Sequence, residues 1–279
     1  MMTGKTFIGG TDIYTAFGAF VTDGGYEDLA QFPPLKAVDY NDWFEDDGIE
    51  ADLSKPVLDT RTVSVPFAFV EKSPDALVNA LADSGYHFFQ FVEAGRALRL
   101  RLVSVGNPTV CNGLRLVTMT FADDFPLDDY EYVSPVPGTW PDDGYTLDGK
   151  SLRDYGIRIL EGTQAQMERI PAVKTALLRD VSIVPGVIYD SESRLTFKSR
   201  DLSLYCLMRS PDLATFWRNH DALLYDLVKP EERILSGSGK TFRCYYKDMK
   251  INEFMPLNGV WMKFTLNLTI TGYEENQDR

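Results

Sequence analysis

Two stretches decide the fold. Residues 61–75 read Arg61-Thr62-Val63-Ser64-Val65-Pro66-Phe67-Ala68-Phe69-Val70-Glu71-Lys72-Ser73-Pro74-Asp75, and residues 200–212 read Arg200-Asp201-Leu202-Ser203-Leu204-Tyr205-Cys206-Leu207-Met208-Arg209-Ser210-Pro211-Asp212. Each begins with period-two alternation, the mark of a half-buried strand. Val63, Val65, Phe67 and Phe69 share one face, as do Leu202, Leu204, Cys206 and Met208. Pro66 has no N–H to give a ladder, which predicts an edge or a bulge there. Each stretch ends on Ser-Pro-Asp, a helix-start signal. Ser73 and Ser210 read as N-caps, Pro74 and Pro211 as first helical residues, and Asp75 and Asp212 as charges at the positive end of the dipole. Leu77, Leu81 and Phe88 then follow at helical spacing. Leu213, Phe216, Trp217, Leu224 and Leu227 make a wide apolar stripe, which reads as a helix face packed on a sheet.

Working outward, the correspondence extends over the chain. At an offset of 138 residues, Phe7 matches Tyr145, Phe17-Gly18 matches Tyr155-Gly156, Pro33 matches Pro171, Lys36 matches Lys174, Asp42 matches Asp180 and Gly48 matches Gly186. Ser73-Pro74-Asp75 and Ser210-Pro211-Asp212 are 137 apart, whereas Asn112-Gly113 and Asn258-Gly259, both hairpin-type turn signals, are 146 apart, so the second copy carries about nine extra residues, expected in Lys229 to Lys240. The period is far too long for a solenoid. It is a domain length, in keeping with 279 residues and a prior of roughly 150 per domain. The expected organisation is a first β domain at 1–126, a Pro/Gly-rich semi-rigid linker at 127–144 and a second β domain at 145–279. Alternation over 98–103, 114–121 and 261–270 adds closing strands. The fold class expected is mainly β with α+β character: two similar antiparallel β-sandwich or barrel domains, each with one inserted α-helix.

Composition narrows the function. Apolar residues make up 44% and charged residues 25%, as in folded globular chains. No apolar run reaches the length of a membrane-spanning helix, and Met1 to Phe7 lacks the apolar run of a secretion signal. The net charge of −13 disfavours adhesive binding to nucleic acid. Residues 1–144 hold 9 basic and 23 acidic side chains, a balance of −14, leaving +1 for the rest, so nearly all the acidity lies in the first copy. The three cysteines, Cys111, Cys206 and Cys244, are odd in number and far apart, and read as buried thiols rather than a disulfide framework.

No catalytic, cofactor-binding or metal-binding residue is expected. Ser236-Gly237-Ser238-Gly239-Lys240-Thr241 resembles part of a phosphate loop, but Ile234 stands where the pattern needs glycine, and a strand rather than a helix follows. A hairpin tip is the better reading. His87 and His220 fall in or near the helix of their copy, with no zinc pattern around them and no Gly-x-Ser-x-Gly motif in the chain. The acidic run Glu45 to Asp52 fails the calcium-loop spacing and reads as a solvated hairpin. In the same polar loop, just before that run, Trp43-Phe44 has two open readings: a contact surface that makes these residues a candidate subunit interface, or aromatics folded back on their own sheet.

Phe7-Ile8-Gly9-Gly10-Thr11-Asp12-Ile13-Tyr14-Thr15-Ala16-Phe17-Gly18, followed by a hairpin, an alternating strand, a helix near Ser-Pro and closing strands, resembles phage distal tail and tail-tube modules, here present twice as in tail-hub proteins. That resemblance implies a non-enzymatic virion structural protein of a phage or prophage tail, assembled in the bacterial cytoplasm. It implies a homo-oligomeric ring, either a trimer with pseudo-sixfold symmetry or a hexamer, that joins other tail proteins and lets DNA pass without holding it. It implies no cofactor and no membrane insertion. The alternative is a two-domain carbohydrate-binding or adhesion β-sandwich protein.

Overall fold

The computed structural model describes residues 2–83, 85–128, 130–175, 178–180, 182–183, 185–189, 194–257 and 259–273. The first half contains β1 (Thr6–Ile8), β2 (Thr11–Asp12), α1 (Ile13–Phe17), β3 (Ala19–Val21), a hairpin of β4 (Tyr40–Asn41) and β5 (Glu50–Ala51), β6 (Arg61–Phe69), α2 (Asp75–Leu81), β7 (His87–Phe91), β8 (Arg96–Val105), β9 (Thr109–Cys111) and β10 (Leu114–Asp123). The second half contains β11 (Thr146–Leu147), β12 (Lys150–Ser151), β13 (Ile157–Ile159), α3 (Thr163–Glu168), a hairpin of β14 (Leu178–Asp180) and β15 (Val187–Tyr189), β16 (Arg200–Ser210), α4 (Leu213–Leu227), β17 (Arg233–Gly237), β18 (Lys240–Met255) and β19 (Val260–Tyr273).

The two main sheets have the same antiparallel order. One runs β2-β1-β7-β8-β10-β6-β3, with β9 on β10, and the other β12-β11-β17-β18-β19-β16-β13. Apart from β9, each strand of the first has its counterpart at the same place in the second, and the fold is two similar β-rich units with a principal helix inserted after the fourth matching strand, β6 or β16. Even the irregularities repeat. The pairing of β10 with β8 skips Val103, and that of β19 with β18 skips Lys247, bulges at the same point of the ladder. Leu35 bridges Leu58, and Val173 bridges Phe197. The buried side chains of both halves form one contiguous apolar cluster.

Glycine explains one anchor of the repeat. Gly18 ends α1 at φ 65°, and Gly156 ends the short turn Leu152–Tyr155 at φ 71°. A Cβ would lie 2.7 Å from the Val70 carbonyl oxygen at Gly18 and 2.8 Å from that of Arg209 at Gly156. Both position and conformation demand glycine. Gly18→Ala and Gly156→Ala are each expected to cost about 2–3 kcal/mol in urea unfolding; a loss under about 0.5 kcal/mol at either site contradicts this account.

Several expectations need correction. Phe88 continues no helix: it lies on β7 and is 57% exposed, and His87 is on the same strand. Ser210 is the last residue of β16. Asp212 is the N-cap of α4, its carboxylate accepting the Thr215 N–H, so Pro211 precedes the helix. Pro74 occupies the cap position of α2, and the Ser73 hydroxyl bonds Asp75. The added length is not in 229–240, because α4 has 15 residues against 7 in α2. Phe7 aligns with Thr146 rather than Tyr145: each faces the residue that caps the next helical turn, Asp12 or Ser151. Each copy also holds short helical turns beyond its one expected helix, among them α1 and α3. Pro66 lies just past the end of β3, where its missing N–H breaks no ladder bond, and its carbonyl accepts Thr22 N–H at 3.0 Å. The Asn112-Gly113 turn joins β9 to β10; Asn258 and residues 274–279 lie outside the described residues.

Candidate functional site

The densest polar chemistry lies where the first copy meets the second. β17 pairs with β18 only over residues 240–244, which leaves the outer edge of β18 open beyond them. Residues 31–35 of the first copy cover that edge. Leu35 N–H donates to the Lys247 carbonyl at 2.9 Å, on the bulge itself. The Gln31 side-chain amide donates to the Met249 carbonyl and accepts from Ile251 N–H. An uncovered edge would be a template for unwanted pairing. Phe32 is fully buried beside it, 4.5 Å from the His220 ring and 6.3 Å from the Tyr246 ring between centroids.

The β4–β5 hairpin reaches across in the same direction. Gly48 N–H donates to the Phe197 carbonyl at 2.7 Å and Ile49 N–H to that of Thr271 at 2.9 Å. The Asp47 carboxylate accepts Phe197 N–H at 2.7 Å and pairs with Arg194. Lys174 Nζ donates to the Trp43 carbonyl at 2.6 Å and pairs with Asp42, while the Thr196 hydroxyl donates to the Phe44 carbonyl at 2.8 Å. Trp43 and Phe44 thus meet the other copy of their own chain through backbone. Trp43 is 50% exposed, with its indole N–H on Glu50 at 2.7 Å. A groove of about 1170 Å³ opens alongside, lined in part by Tyr40, Trp43, Glu50, Arg243 and Tyr273.

Helix α4 clamps the other side. Trp217 donates its indole N–H to the Ala94 carbonyl at 2.7 Å, and Arg96 lies over the same ring at 4.5 Å. Arg96 grips Asp221 with two bonds, 2.6 and 3.0 Å. His220 Nδ1 is 2.8 Å from Asp221, and its Nε2 is 2.9 Å from the Ala30 carbonyl. Burial alone would raise the Asp221 carboxyl, but the Arg96 guanidinium and His220 override it and hold it well below the usual carboxylate range. Burial pulls the His220 ring below its ordinary value, against the opposing pull of Asp221. Both lowered values act with one sign: the unfolded chain binds more protons, so stability rises with pH and falls on acidification. The melting temperature should therefore drop as pH falls through about 6.5, the ordinary imidazole value, and His220→Gln should flatten that slope. A rise on acidification would mean that an imidazolium held between two oxygens outweighs burial.

The residues flagged in the sequence are scattered rather than gathered. His220 joins the clamp, whereas His87 lies on β7 in the other copy. Cys206 and Cys244 are buried, and burial pushes the Cys244 thiol up to about 12; Cys111, expected inside, is exposed. Ser236 to Thr241 spans the turn between β17 and β18. Among the described residues no cluster of three or more His, Cys, Asp or Glu side chains is placed to hold a metal ion. Sequence reasoning missed Gln31, Phe32, Arg96 and Asp221, which lie in unlike local contexts and meet only through the tertiary fold. What the arrangement does chemically is bind protein to protein: it covers one copy's sheet edge and helix with a different face of the other copy.

Among the described residues no helix is long and apolar enough to cross a membrane. No protein-family profile and no curated protein sequence matches the chain. Among solved structures it is similar to the SPP1 Dit (gp 19.1) protein, described as a paradigm of hub adsorption apparatus in Gram-positive infecting phages, at 16% identity and a TM-score of 0.32. The match covers 48% of this chain and 49% of that one, so it spans about half the length of each.

Proposed function

We propose that the chain is a structural, non-enzymatic component of a phage or prophage tail or tail tip, and that its working form is a ring around a DNA-conducting channel. The observation that carries this reading is the contact between the copies. It is heterologous: residues 31–51 of one unit cover a quite different face of a unit with the same sheet order. A contact of that type closes into a ring when the rotation allows. Two units per chain would make a pseudo-sixfold ring from three chains, or a larger ring from six. The acidity of residues 1–144, −14 against +1 for the rest, suits a wall that lets phosphate pass without holding it. The exposed Trp43 ring is available for contact with a neighbouring chain or another tail protein. Assembly would take place in the bacterial cytoplasm, with the finished ring in the virion tail.

Negative-stain microscopy of concentrated protein, with native mass measurement, tests this. Closed rings of three or six chains support it; dimers related by a twofold axis contradict it. A second reading, a glycan-binding two-domain protein, is favoured by the groove beside Trp43, where aromatic faces and carboxylates adjoin. A strong glycan-array hit from a monomer would select it.

A further inference from the structure

We propose that residues 169–173 of one chain cap the open outer edge of β8, at residues 101–105, in the first copy of the next chain. This would repeat between chains the contact that residues 31–35 make on β18 within each chain. The proposal rests on the ring reading and names its chain-to-chain surface.

The equivalences come from the ladders. Gln31 and Arg169 each cap the preceding helical turn with nearly the same backbone angles, ψ 129° and 126°. Lys36 N–H bonds the Val57 carbonyl as Lys174 N–H bonds that of Thr196, and Asp59 N–H bonds the Pro34 carbonyl as Lys198 N–H bonds that of Ala172. Phe32 therefore corresponds to Ile170, and Leu35 to Val173. On the receiving side, Met249 pairs with Leu266 as Val105 pairs with Met119, and the bulged Lys247 corresponds to Val103.

Three pairs of equivalent residues then differ in the same sense. Phe32 is fully buried on the second copy; Ile170 is 83% exposed. Met249 is 2% exposed beneath the first copy; Val105 is 40% exposed. Gly48 and Gly186 share a left-handed backbone, φ 76° and 81°, yet a Cβ on Gly48 would sit 1.7 Å from the Thr271 carbonyl oxygen, whereas at Gly186 nothing lies within 4 Å. The covering face is used in the first copy and open in the second; the covered face is used in the second and open in the first. β7 pairs with β8 only over residues 96–100, so the edge beyond, with Val103 at 55% exposure, is left as open as that of β18 would be without its cap. Such an apolar edge needs a cover, and a second copy of this chain carries the matching one.

Two chains with one exposed cysteine each test this, Val173→Cys and Val103→Cys, each with Cys111→Ser; Cys206 and Cys244 remain but are buried and stay unreactive. Mixed and oxidised, they should give a disulfide-linked heterodimer that neither chain gives alone. Ile170→Asp should weaken self-association by roughly tenfold or more and leave the melting temperature of the isolated chain unchanged. If rings form but the mixed chains do not cross-link and Ile170→Asp assembles as the parent does, this surface is wrong and the ring reading stands. If no association occurs at any attainable concentration, both fall.

Discussion

Asp221→Ala should destabilise the chain by about 3 kcal/mol, the low end for a broken buried ion pair. The low end applies because the side chains of Arg96 and Asp221 retain 20% and 14% exposure. The substitution leaves the Arg96 guanidinium over Trp217 with no carboxylate and removes the partner of His220 Nδ1. Because Arg96 and Asp221 belong to different copies, the damage should fall on the joint between them. Denaturant unfolding followed by tryptophan fluorescence should move to lower concentration, and a transition that is single in the parent should broaden or split. Double substitution with Arg96→Met should recover part of the loss, since it removes the orphaned charge as well. A loss below about 1 kcal/mol would show that the pair is solvated and adds little.

Phe32→Ala should cost about 3–5 kcal/mol, as for other fully buried aromatic truncations. The ring fills the space between His220 and Tyr246, so its removal opens a cavity at the joint rather than inside either unit. The matched control is Ile170→Ala, at the equivalent place in the other copy. With Ile170 83% exposed, that change should alter the stability of an isolated chain by less than about 0.5 kcal/mol. Equal effects at the two positions would contradict the assignment of one as covered and the other as open.

The repeat was readable from the sequence because it is written in residues with steric duties. Gly18 and Gly156 answer a backbone requirement that no other residue meets, and the strands leading into Ser-Pro-Asp bury alternate side chains by geometry alone. Local signals failed where two periods fit the same residues. Phe88 stands seven residues after Leu81, as a helix would place it, yet it also alternates with Phe89 and Phe91, and the strand prevails because β1 and β8 flank it. The extra turns of α4 were hidden because Pro, Glu, Ser and Gly after Lys229 looked like an inserted loop. The joint itself was not readable. Gln31, Phe32, Arg96 and Asp221 acquire their roles from a long-range meeting of the copies, and Trp43-Phe44 drew attention while much of the contact was made by backbone. The difference between Phe32 and Ile170 is one of surroundings, which a sequence comparison of the copies does not reveal.

The most direct test of the central claim, that two like units are joined in the way chains join each other, is a cryo-electron microscopy reconstruction of the assembled protein. The account predicts a closed ring in which the junction between chains superposes on the junction within a chain, with residues 169–173 on the edge of β8. A ring whose chain-to-chain contact uses other faces, or an assembly closed by twofold axes, would contradict it.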